Sequence, residues 1–234
     1  MPQSWDGIVS RSLNRRISRP IARFLSKHRV VTPNQVTVLS FLVSLLSPVA
    51  FYFGIQLLGG ILAQLSSILD GVDGDLAKMT GKTTPFGGFL DSVLDRYADV
   101  AILAGMGLYG FFFEGLKYSP AFCLLAILGA LMVSYSRAAS ERIPGFSFQS
   151  PISNYLANRD VRLFIIFIAS ILSFVSVAFS IMIPVISYSL IVIAAITNLT
   201  VARRLLEVRT WQSSNARSQL QGMVSLSSRF NHPT

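Results

Sequence analysis

The chain has 234 residues, 52% hydrophobic and only 13% charged, whereas an ordinary soluble domain carries roughly a quarter charged residues. That balance points away from a soluble globular protein and toward one compact helical bundle in a membrane. A net charge of +9 raises nucleic acid as a partner, but the bases flank apolar runs, where anionic headgroups and phosphorylated substrates attract them, so no nucleic-acid partner is expected.

In chain order, residues 1–31 form a juxtamembrane segment. Ile8, Val9, Leu13, Ile17, Ile21, Phe24 and Leu25 recur at roughly helical spacing, with Arg11, Arg15, Arg16, Arg19, Arg23 and Lys27 between them. This predicts an interfacial amphipathic helix, anchored by Trp5 and bent or broken at Pro20. No short apolar segment with a cleavage site opens the chain, so no leader is expected to be removed. Thr32-Pro33-Asn34 resets the chain, because proline suits an early helical position and disfavours helix before it.

The bundle itself is expected over residues 32–209, as an all-α fold with six transmembrane helices. Their apolar runs are Gln35 to Phe53, Gln56 to Met79, Phe86 to Phe113, Pro120 to Arg137, Val161 to Ile181 and Ile183 to Ala202. Of the 20 Lys and Arg, seven precede Asn34 and only Lys117 falls in a loop of the far side, which predicts that both termini are cytoplasmic in a multi-pass protein of the cell membrane. The loops around Lys78 to Lys82 and Arg137 to Arg162 then share that face. Residues 210–234 are rich in Ser, Gln and Asn and read as a flexible polar tail. Cys123 is the only cysteine, which excludes an intramolecular disulfide and points to oxygen ligands for any metal.

Asp70, Asp73, Asp75, Asp91, Asp95 and Asp99 are six of the 11 acidic residues, gathered at the ends of neighbouring spans. Carboxylates at membrane depth are costly without a partner, a wet cavity or an ion, so clustering reads as function; the competing reading is solvated loop acids or helix caps. Asp70 and Asp73 are spaced i,i+3 and Asp91 and Asp95 i,i+4, so each helix offers a face with two carboxylates. Asp75 falls off the first stripe, and Asp99 sits a turn deeper, where it is expected to bond a neighbouring helix. Mutual repulsion among the four is removed most simply by a pair of hard divalent cations. Such ions could clamp a diphosphate for in-line displacement by a hydroxyl, whose proton the fourth carboxylate takes.

Asp70-Gly71-Val72-Asp73-Gly74-Asp75-Leu76-Ala77-Lys78, followed at fixed spacing by Gly87, Asp91 and Asp95, resembles the signature of the CDP-alcohol phosphotransferases, with Lys78 where the family usually has Arg. The resemblance implies that Asp70, Asp73 and Asp91 ligate two divalent cations, Mg2+ or Mn2+, while Asp95 completes the metal site and is the catalytic base. It also implies a CDP-linked donor bound by Asp70, Asp73, Gly74, Ala77, Lys78 and Gly87, and a homodimer among membrane lipids. The small residues Gly74 and Ala77 leave room for a nucleotide, and Gly87 permits close helix approach, although small residues also serve ordinary packing.

Arg137 ends the fourth span, and Arg159 and Arg162 introduce the fifth, so guanidinium groups from two helix ends can converge near the metals and hold an acceptor's phosphate; alternatively they only enforce topology. The expected function is therefore transfer of a substituted phosphate from CDP-diacylglycerol or its archaeal ether equivalent to inositol phosphate or glycerol phosphate, with release of CMP. The string from Asn158 to Phe164 is similar to that of di-myo-inositol phosphate phosphate synthases, which implies CDP-inositol as the alternative donor. A membrane prenyltransferase is disfavoured because its two Asp motifs lie far apart, and a transporter because the acids cluster at one face without an inverted repeat.

Overall fold

The computed structural model describes residues 14–28, 31–148, 150 and 157–230. Seven helices hold nearly all of them: α1 (Arg15–His28), α2 (Pro33–Tyr52), α3 (Gln56–Thr80), α4 (Pro85–Phe112), α5 (Ser119–Ser140), α6 (Arg159–Ala178) and α7 (Val185–Phe230). Helices α2 to α7 occupy the six expected runs. Among the described residues, only α2, α5, α6 and Val185–Asn215 of α7 are long and apolar enough to cross a membrane. α3 and α4 carry the six clustered aspartates between them, which lowers their hydropathy. Six helices are thus present, while six spans do not follow from hydropathy alone.

Local sequence explains the boundaries nearest the acids. Thr32 caps α2 in a reciprocal capping box: its hydroxyl accepts from the Gln35 N–H and the Gln35 side chain accepts from the Thr32 N–H at 2.8 Å, with Pro33 in the first turn. Thr84 repeats the device on α4, accepting from the Gly87 N–H at 3.0 Å ahead of Pro85. Between them α3 stops at Gly81, whose φ of 66° is the left-handed conformation that glycine adopts without strain. This short turn folds α4 back beside α3 and brings the two aspartate faces together.

The core draws on every helix from α2 to α7, with Phe51, Ala63, Ile102, Met106, Ala130, Ile166 and Ile193 all buried. Its packing is close because small residues meet. A Cβ on Gly105 would fall 2.5 Å from the Pro48 Cα, and one on Gly107 would fall 2.7 Å from the Cys123 Cβ. Serines line the inside and satisfy themselves on the backbone, Ser40 Oγ donating to the Ser66 carbonyl and Ser47 Oγ to that of Gly59. Large apolar side chains instead face outward, among them Leu39, Leu42 and Leu46 on α2 and Leu124, Leu125 and Leu128 on α5. Apolar outside with small and polar inside is the pattern of a bundle solvated by lipid.

Two sequence expectations are changed here, at Pro20 and at the end of α7. α1 runs unbroken through Pro20, which removes one backbone hydrogen bond without ending the helix. Its buried side is Ser18 and Ala22 against α3, while Ile17, Ile21 and Phe24 face outward beside the exposed bases. The expected helical pattern before Asn14, with Trp5, lies outside the described residues. α7 does not stop at residue 209 but continues as helix to Phe230: Ser, Gln, Asn and Arg interrupt apolarity without breaking the helix, no proline falls before its end, and Gly222 lies within it.

Gly105→Ala is expected to lower the thermal midpoint in detergent, at a cost of about 1–3 kcal/mol for overpacking against a proline backbone. Gly88→Ala, whose added Cβ meets open space, is expected to leave the midpoint unchanged or raise it.

Candidate active site

The two aspartates of the α4 face meet one of the two on the α3 face. Asp70 from α3 and Asp91 and Asp95 from α4 each offer an oxygen within 4.8 Å of the others. Asp73 stands beside this trio: Thr37 Oγ1 of α2 donates to its Oδ2 at 2.5 Å, and it is buried. The two acids set apart in the sequence have structural partners. Asp75 accepts from Ser18 Oγ of α1 at 3.3 Å, and Asp99 pairs with Arg162 of α6.

Arg159, in the first turn of α6, inserts into the cluster. Its Nη1 lies 2.8 Å from Asp95 Oδ1 and 3.0 Å from Asp70 Oδ1, and its Nε lies 3.5 Å from Asp99 Oδ1. Arg162 is more fully committed, with one end on Asp99 and the other donating to the Ala157 carbonyl at 2.6 Å. Arg96 lies 3.3 Å from Asp95 Oδ2. One guanidinium shared by three acids leaves Asp91 least compensated, and Asp91 Oδ1 is buried without a hydrogen-bond partner. An orphaned carboxylate oxygen within reach of two others is the donor set a hard divalent cation takes, so the residues fit such an ion.

A cavity opens on each side of the cluster. The smaller, about 220 Å³, lies between α2, α3 and α4 and is lined by Asp73, Gly74, Ala77, Lys78, Gly87 and Asp91 among others. Five of the six residues expected to hold the donor thus share one wall, and the sixth, Asp70, faces the other side. Gly74 has nothing within 4 Å of an added Cβ, whereas one on Gly87 would meet Asn34 Oδ1 at 3.0 Å, so Gly87 lets α2 approach α4. The larger cavity, about 900 Å³, is lined by Asp70, Arg137, Arg159 and Arg162, so the three expected arginines do converge.

Sequence reasoning missed several lining residues. Asn34, Thr37, Lys82 and Thr84 line the small cavity, and Arg96, Asn158 and Arg204 the large one. Thr37 was findable, one turn beyond Asn34 on the same face. Arg204 was not: it was set beyond the end of the last span, yet α7 continues and carries it under α5, where it donates to Ser136 Oγ at 2.9 Å and its guanidinium lies 4.9 Å from the Phe148 ring centre.

Comparison with known proteins agrees with this geometry. The bifunctional IPC transferase and DIPP synthase of Aquifex aeolicus is 40% identical over 205 residues, 84% of this chain and 42% of that protein. The archaetidylinositol phosphate synthase of Pyrococcus horikoshii is 40% identical over 147 residues, 63% of this chain and 73% of that one. This chain therefore spans less than half the length of the first relative. Among solved structures, the Mycobacterium tuberculosis phosphatidylinositol phosphate synthase with CDP-DAG bound superposes with a TM-score of 0.67 at 26% identity, over 82% of this chain and 94% of that one. The same enzyme in complex with manganese and citrate gives 0.64 at 26% identity, over 83% and 90%. Residues 30–202, which contain both aspartate faces and, Arg204 apart, the lining of both cavities, match the CDP-alcohol phosphatidyltransferase family, and the chain belongs to it.

Proposed function

We propose that this chain transfers a substituted phosphate from a CDP-linked donor to the hydroxyl of a phosphorylated alcohol and releases CMP. The observation that carries the reading is the aspartate cluster standing between two cavities, one lined by the family's nucleotide-side residues and one by arginines. Asp70, Asp73, Asp91 and Asp95 would hold two divalent cations, Mg2+ or Mn2+. When bound, these supply charge neutralisation on the diphosphate. Gly74, Ala77 and Gly87 leave space for the CDP moiety, and Lys78 and Lys82 place positive charge at its mouth. On the other side Arg137 and Arg159 orient the acceptor's phosphate, while Arg162 shapes the wall by anchoring to Asp99. Asp95 takes the proton of the attacking hydroxyl as the bond from phosphorus to the CMP oxygen breaks.

CDP-diacylglycerol, or its archaeal ether equivalent, with inositol phosphate as acceptor is the favoured pair, supported by the names of the relatives and by the CDP-DAG-bound neighbour. Glycerol phosphate is the lesser acceptor. A CDP-inositol donor giving a soluble phosphodiester is the second reading, favoured by the Aquifex relative, which aligns with 84% of this chain. The reading places all six long helices across the cell membrane, with α3 and α4 shielded by their neighbours. The site and both termini lie on the cytoplasmic side, residues 32–209 form the membrane domain, and the protein is a homodimer. α1 then lies at the headgroups, with Ile17, Ile21 and Phe24 toward lipid.

Purified protein supplied with each CDP donor and a panel of alcohols decides the substrates. A product that partitions into organic solvent is expected with CDP-diacylglycerol and inositol phosphate; a water-soluble phosphodiester formed only from CDP-inositol would establish the second reading. Asp91→Asn and Asp70→Asn are expected to cut metal-dependent CMP release by about 10²–10³-fold or more without loss of fold, the scale of removing one group that stabilises transition-state charge. Normal release by either variant would sink the site. Gly74→Ala is expected to raise the donor KM roughly tenfold, about 1.4 kcal/mol, with an unchanged or higher thermal midpoint, because its Cβ meets no neighbouring atom and points to cavity space.

A further inference from the structure

Arg159 holds two positions in the architecture at once. Its guanidinium touches the aspartates, and its side chain lines the 900 Å³ cavity on their far side. A single nitrogen, Nη1, lies against both Asp70 and Asp95. Those two acids, with Asp91, form the trio whose geometry suits a divalent cation. A guanidinium already against both carboxylates disfavours a divalent cation on the same pair, because like charges repel most strongly where water is excluded. The Nε end lies 3.5 Å from Asp99 Oδ1, an ion pair without a hydrogen bond. Asp99 is itself fixed through its other oxygen to Arg162, and Arg162 to the Ala157 carbonyl. The side chain is therefore placed by ion pairs rather than fixed by hydrogen bonds, and it lines open cavity space.

We infer that Arg159 is a mobile counter-ion: it competes with a divalent cation for Asp70 and Asp95, and cation loading swings its terminal nitrogens about the Asp99 contact into the larger cavity, where they meet the anion of the acceptor. This rests on the aspartates being the metal site, as proposed above. It deepens that reading by making the acceptor-side charge depend on loading of the metal side, so that the arginine is delivered to the acceptor only when the cation is in place. Asp99 becomes a positioning residue, the pivot of the movement rather than a ligand.

The test is calorimetric titration of Mn2+ into the full chain in detergent, with thermal midpoints measured with and without Mn2+. Arg159→Gln is expected to bind Mn2+ about tenfold more tightly than the unaltered protein. Its midpoint should be lower without Mn2+ and should recover with saturating Mn2+, since the cation replaces the lost positive charge. A merely structural arginine predicts the opposite sign, because loosening the aspartates weakens the site. Unchanged or weaker Mn2+ binding by Arg159→Gln would overturn the inference. Should that variant fail to fold, Arg159→Lys decides by the same criterion, tighter binding supporting competition and equal or weaker binding overturning it. With Mn2+ saturating, inorganic phosphate is expected to bind the unaltered protein about tenfold more tightly than Arg159→Gln; equal affinities would overturn the swing into the cavity. Asp91→Asn separates the two claims. If it abolishes Mn2+ binding while Arg159→Gln leaves affinity unchanged, the metal site stands and the counter-ion falls. If the unaltered protein binds no Mn2+, both fall.

Discussion

Charge compensation at one end of an apolar bundle is the constraint on which this architecture turns. Acids inside a membrane-type bundle must be paired, and breaking a buried pair costs about 3–5 kcal/mol because the remaining charge is stranded. Five of the six aspartates meet that requirement by reaching to other helices. Asp73 holds Thr37 of α2, Asp75 holds Ser18 of α1, and Asp70, Asp95 and Asp99 surround arginines of α6. The acids of α3 and α4 are thus the points where α1, α2 and α6 are fastened. On the proposed function, the same residues serve function and fold, which accounts for a run of charge where apolar side chains would pack at lower cost.

Elsewhere the bundle is held differently. Lipid-facing leucines contribute no attraction between helices, so association depends on close backbone approach at Gly105, Gly107 and Gly129 and on serines that satisfy themselves on main-chain carbonyls. At the end opposite the cluster, Glu114 accepts from the backbone N–H groups of Ile186 and Ser187, both at 2.8 Å. A carboxylate at the first turn of α7 meets the positive end of that helix and satisfies two donors that have no partner within it. One end of the bundle therefore carries acids compensated by arginines, and the other a single acid compensated by peptide groups.

The sequence made legible what depends on helical periodicity. Asp91 and Asp95 share a face because of their i,i+4 spacing, and the Thr32-Pro33 start is a local hydrogen-bonding pattern that needs no tertiary information. What stayed hidden depends on which helix lies opposite. Asp99 could be set apart from the metal stripe, but its partners on α6 lie about sixty positions away along the chain. The inward side of α1 is Ser18 and Ala22 rather than its apolar stripe, because a bundle built from small residues accepts small residues. Arg162 looked like a phosphate ligand by composition, whereas its hydrogen bonds show a brace.

The division into two cavities has a physical logic that the motif alone does not state. The helices α2 and α4 both begin at the small cavity, capped by Thr32 and Thr84, so two helix N-termini and the side chains of Lys78 and Lys82 line a space whose inner wall carries Asp73 and Asp91. Positive potential at the rim and carboxylates within suit a diphosphate that arrives with hard cations, since each charge in the assembly then has an opposite neighbour. The large cavity has an excess of positive charge, with Arg96, Arg137, Arg159, Arg162 and Arg204 against Asp70, Glu141 and Asp160. That excess suits an anion without cations. On the proposed reading, the large cavity's excess of arginine receives the acceptor and the small cavity's balanced lysines and aspartates receive the donor with its cations, and the aspartate wall between them is the one place where both meet.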